Sequence, residues 1–161
     1  LAFRWRYVAV PVLVLMVSLV AAVYFYRLLP SRIAYHFAAD GLADRWVGRV
    51  ALMMALVAPQ LLLAFIAAAV AHIVAKVGNR FVEDGSTPAL AIESITTAMS
   101  NMVVLPQLVL CFAMVDVFAY NAYRVHLPPL YIFAMAVMLV GGSVLGIFFL
   151  RAIQQARATK R

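Results

Sequence analysis

The sequence is short of charge: Asp, Glu, Lys and Arg make up 12% of its 161 residues, about half the share of an ordinary soluble domain. Only six residues are acidic: Asp40, Asp44, Glu83, Asp84, Glu93 and Asp116. That shortage excludes a solvated globular surface over most of the chain. The single cysteine, Cys111, lies inside an apolar run, which excludes a disulfide framework and a Cys-based metal centre. No HExxH, GxSxG, Cys–His pair or glycine-rich phosphate loop occurs, so no catalytic apparatus is visible and no enzymatic activity is expected. The net charge of +7 has no alternation of basic and aromatic residues behind it, which argues against nucleic acid as a partner.

What the chain has is hydrocarbon. Hydrophobic residues make up 67%, and the mean hydropathy is +1.02. Crossing a bilayer as a helix takes about 20 apolar residues. Four stretches qualify: 7–29, 50–77, 100–120 and 130–150. The expected fold is an all-α integral membrane protein, one bundle of four transmembrane helices in a single domain over 1–161. Arg4 and Arg6 give the first stretch the flank of a signal peptide. Its apolar run is too long, however, and no polar cleavage region follows Ala21 and Ala22, so it is expected to stay as a crossing.

Four crossings place both ends and the middle connection on one side. That side collects Arg4, Arg6, Lys76, Arg80, Arg151, Arg157, Lys160 and Arg161, against Arg27, Arg32, Arg45, Arg49 and Arg124 on the other. The bias predicts cytoplasmic termini, with the first loop outside. Tyr24, Tyr26, Trp46, Tyr120, Tyr123 and Tyr131 mark the outer interface, and Trp5 and Tyr7 the inner one. Membrane lipids are expected partners. In the middle connection Thr87 reads as an N-cap with Pro88 at the first helical position, predicting a short cytoplasmic helix from 88 that runs into the third crossing or bends near Ser100.

Polar residues inside the crossings are few. Pro59-Gln60 and Pro106-Gln107 form a weak internal echo near mid-membrane, readable as paired kinks with the two glutamines bonded to each other, or as a transporter site. Asp116 is the one acid well inside a crossing. It reads as half of an ion pair with Arg32 or Arg45, or as a cation or proton site beside Gln107 and Asn121. A small ion-coupled transporter using Asp116, Gln60 and Gln107 is therefore one alternative. His72 belongs to the inner side and His36 and His126 to the outer, which disfavours a bridged haem. His36 and His126 with Asp40 or Asp44 would suit zinc, but lone histidines are more often hydrogen-bonded structural residues, so no metal and no cofactor is assigned. Gly142 and Gly146 form a GxxxG that suits close packing within the bundle or, second, a partner face.

The polar island between the first two crossings reads LPSRIAYHFAADGLADRWVGR, from Leu29 to Arg49. Pro30 stops the first helix, Gly41 permits a turn with positive φ, and Asp44 with Arg45 or Arg49 can cap the next helix. The stretch resembles the bacterial membrane family called domain of unknown function 1648, whose members carry a segment close to L-P-x-x-I-P-x-H-[FW]-x-x-x-G-x-x-D-x-[WY]-x-x-[KR]. Leu29-Pro30, Ile33, His36-Phe37, Gly41, Asp44, Trp46 and Arg49 fall in step with it. Ala34 stands where a second proline is usual, and Ala38 where asparagine is common. The resemblance implies membrane residence and a structured outer loop. A purely structural re-entry hairpin would explain the same residues. Since the family includes SdpI-like immunity and signalling proteins, the reading adopted is a binding role for the loop from Tyr35 to Arg49, with a protein or peptide partner there. The main alternative is an accessory subunit of a larger membrane complex, held by Gly142 and Gly146 and by the small-residue face Ala64, Ala67, Ala68 and Ala71.

Overall fold

The structure, a computed structural model, describes residues 4–38, 42–83, 85 and 89–158. A 3-10 turn, Trp5–Tyr7, leads into α1 (Ala9–Tyr26), a hairpin of β1 (Arg32–Phe37) and β2 (Ala43–Gly48), α2 (Arg49–Glu83), α3 (Ala89–Asn101), α4 (Val104–Tyr123) and α5 (Leu130–Ala158). Among the described residues four stretches are long and apolar enough to cross a membrane: α1, α2, α3 with α4 taken together, and α5. Hydrocarbon offers the backbone no hydrogen bonds, so each crossing satisfies its own as a helix. The four expected crossings are present. The expected caps Thr87 and Pro88 lie outside the described residues, and α3 begins at Ala89.

The two prolines that echo each other in sequence do different things. Pro59 sits inside the unbroken α2. Pro106 has no N–H for the carbonyl of Met102, and its ring crowds that carbonyl. The helix therefore breaks just before it: Met102 N–H donates to Met99 O and Leu105 N–H to Met102 O, both at 3.3 Å and both over three residues. The bend expected near Ser100 is this break.

Helices associate in lipid through close packing of small side chains rather than through hydrophobic transfer. In α2 the buried positions Ala67, Ala71, Ala75 and Gly78 form such a stripe. Tyr7 and Val8 pack on Ala67 and Ala71, and a Cβ on Gly78 would come to 2.2 Å from Ile92 Cγ2 of α3. Two corrections follow. Tyr7 is fully buried under this stripe, so it is no interfacial anchor. Ala67 and Ala71 are occupied within the chain, so they offer no face to an outside subunit.

Gly142 and Gly146 also depart from expectation. A Cβ on either would meet nothing within 4 Å, whereas one on Gly141 would lie 2.1 Å from Leu105 Cδ2. The close approach of α5 to the bundle is made at Gly141, and the GxxxG faces outward. α5 packs mainly against α3 and α4, with Phe133 stacked on Phe112 at 4.0 Å between ring centroids.

Candidate functional site

The hairpin closes antiparallel, with Arg32 opposite Gly48, Ile33 opposite Val47, Ala34 opposite Trp46, His36 opposite Arg45 and Phe37 opposite Ala43. The pairing slips at Tyr35 on β1 and again at Asp44 on β2. Such irregularities bend a ladder locally and re-aim side chains. Here they bring His36 Nδ1 to 2.6 Å from Asp44 Oδ1 across the sheet. That hydrogen bond is the main reason the Asp44 carboxyl lies below its usual range; partial burial opposes the shift, and Arg45 adds a smaller push in the same direction. Asp44 therefore locks the hairpin and does not cap the next helix, as it was expected to.

Three further attachments hold the hairpin to the bundle. Ile33 is fully buried in a cluster with Leu29, Leu52, Met114 and Phe118. The Asn121 side chain on α4 accepts from Ala34 N–H at 2.9 Å and donates to Ala34 O at 2.8 Å, matching both backbone groups of one strand residue. Arg49, the first residue of α2, donates through Nη1 to the carbonyls of Tyr26 (3.0 Å) and Leu29 (3.1 Å). Its guanidinium lies over the Tyr26 ring at 4.3 Å. A cation on the open carbonyls at a helix C-terminus is favourable for the dipole and for their hydrogen bonding. Pro30 follows the tight turn that ends α1, where Leu28 and Leu29 N–H both donate to Phe25 O. Phe37 takes part in β1, and Gly41 and Asp40 lie outside the described residues.

What remains on the hairpin surface is a different set of residues. Trp46 is 50% exposed and Tyr35 42%, with Arg32 and Arg45 exposed beside them. Of the matched positions, Ile33, Asp44, His36 and Arg49 build the hairpin, and Trp46 is left to face outward. Sequence reading missed Asn121 as the clamp; its only signal was a polar amide near the end of an apolar helix.

The intramembrane polar residues are held separately. Gln60 and Gln107 are fully buried, but they do not bond to each other. Gln60 Oε1 accepts from Ser18 Oγ, and Gln107 Nε2 donates to Pro11 O at 3.0 Å. Both tie their helices to α1. Asp116 does not pair with Arg32 or Arg45 either. Its Oδ1 accepts from Leu127 N–H at 2.8 Å and lies 4.0 Å from His126 Nδ1, folding the α4–α5 connection back onto α4. His126 in turn stacks on Tyr120 at 4.4 Å. His36 and His126 thus face different carboxylates, and among the described residues no three His, Cys, Asp or Glu side chains gather as a metal site.

The segment carrying α1, the hairpin and the start of α2 has a recognisable family. Residues 13–58 match the family described as Domain of unknown function (DUF1648). This part of the chain is similar to that family. No curated protein and no solved structure matches the chain. The DUF1648 segment ends within α2, so the Asn121 clamp comes from outside it.

Proposed function

We propose that this is a non-catalytic protein of the bacterial cytoplasmic membrane that recognises a peptide or protein through its hairpin, as an SdpI-like immunity or sensory component. The observation that carries this reading is the mounting of the hairpin. Ile33, Ala34 and Arg49 fix it to α1, α2 and α4, while Trp46, Tyr35, Arg32 and Arg45 stay exposed. A rigid platform bearing aromatic and arginine side chains has the composition that carries most binding energy at interfaces, and its rigidity spares the ordering cost of a flexible loop. The test is Trp46→Ala with Tyr35→Ala in cells challenged with a secreted membrane-active peptide. Loss of a central aromatic anchor costs about 2 kcal/mol, roughly thirtyfold in affinity, so protection is expected to disappear while membrane insertion and melting temperature stay unchanged. Undiminished protection would remove the immunity reading.

A second reading, an accessory subunit of a larger complex, is favoured by one observation: the outward Gly142 and Gly146 leave α5 with a close-approach face that no described residue fills.

A further inference from the structure

Opposite the hairpin end of the bundle, a cleft of about 400 Å³ lies between α1, the α3–α4 break and α5. Val10, Asn101, Leu105, Gly141, Val144 and Phe148 line it, and its walls are almost entirely apolar. It runs from Leu108 and Gly141 in the middle of the crossings to Thr97 and Phe148 near the N-terminal turn. Val10, Val144 and Phe148 are each about half exposed, so the cleft opens sideways on the flank of helices that cross the membrane. In a bilayer such an opening faces acyl chains.

The rim at the Thr97–Phe148 end is charged. One turn before Thr97 on α3 stands Glu93, held by Arg4 at 2.8 Å and by Arg6. The two arginines keep 52% and 56% of their side chains exposed, so each retains donors facing outward. On α5, Arg151 follows Phe148 by three residues, the spacing that keeps it on the same helix face, and it is exposed. Arg4 and Arg6 on Glu93, with Arg151 one turn beyond Phe148 on α5, bring three guanidinium groups and one carboxylate to this end of the cleft. The excess of two positive charges favours an anionic headgroup over a zwitterionic one, and guanidinium forks fit phosphate oxygens.

We infer that this cleft is a binding site for an anionic glycerophospholipid, with an acyl chain along Val144 and Phe148 and the phosphate between Arg151 and the Arg4–Glu93–Arg6 group. The site is independent of any partner at the hairpin.

The test uses the full chain in neutral detergent, with native mass spectrometry comparing phosphatidylglycerol and phosphatidylcholine of identical acyl chains. Wild type is expected to retain phosphatidylglycerol preferentially. Arg151→Gln should weaken phosphatidylglycerol about fivefold, the fold-change for one basic residue at a lipid surface, and leave phosphatidylcholine unchanged. Val144→Trp, which fills the cleft, should weaken both lipids. A thermal melt checks that each variant is folded, and Arg151, being exposed, serves if the tryptophan variant is not. Equal retention of the two lipids by wild type, or phosphatidylglycerol binding that survives Arg151→Gln unaltered, means annular lipid only and overturns the site.

Discussion

At the scale of single residues, polar side chains in this protein act mostly as fasteners. Asn121 fixes a strand, Arg49 a helix end, Asp116 a connection, and Gln60 and Gln107 the central helix. The response of the His36–Asp44 pair to acid has a definite sign. Hydrogen bonding to His36 lowers the Asp44 carboxyl below its ordinary value, so the folded hairpin holds that proton more weakly than the unfolded chain does. The stability drawn from the pair is then fully present above the ordinary carboxylate value, about 3.9. It is lost as pH falls through the lower folded value. Backbone NMR shifts of residues 32–37 and 43–48 in micelles should show an acid step that lies below the ordinary carboxylate range. Asp44→Asn should abolish that acid step and loosen the hairpin at neutral pH. Identical acid profiles for the two proteins would show that the pair does not hold the strands.

Helices and strands were unequally legible. Four crossings could be read from hydropathy alone because a bilayer imposes one length and one satisfied backbone on every span. The hairpin strands could not, because RIAYHF and ADRWVG lack two-residue alternation: Ile33 enters the core while its neighbour Ala34 is covered by the Asn121 amide. Partners across the bundle were equally hidden. Nothing in the sequence says that Asp116 answers a backbone N–H at Leu127, or that Gly141, beside the conspicuous Gly142, makes the close approach. This last distinction is testable. Gly78→Val drives a branched side chain into Ile92 and should cost about 1–3 kcal/mol, read as a lowered melting temperature. Gly142→Val meets open space and should change stability by no more than about 0.5 kcal/mol. If α5 docks on another subunit, the same Gly142→Val should release a co-purifying protein from native membranes. An equal loss of stability in both variants would mean that Gly142 packs within the bundle after all.

For the whole molecule, the decisive property is which end faces out. Four crossings put the hairpin and the α4–α5 connection at one end and the N-terminal turn with the α2–α3 connection at the other. Glu93 offsets part of the basic charge near the N-terminus, yet orientation follows the Lys and Arg count and is little affected by acids. On that bias we propose that the hairpin lies outside. A phosphatase that is active only outside, inserted either between Ala38 and Leu42 or between Arg124 and Pro129, should be active at both places, and a fluorescent reporter at the C-terminus should report the cytosol. The two insertion points are separate in sequence and share one end of the bundle, so their agreement tests the number of crossings together with the direction. Cytosolic readings at both would put Trp46 and Tyr35 where no secreted peptide reaches them and remove the immunity reading, while leaving the lipid cleft on the flank untouched.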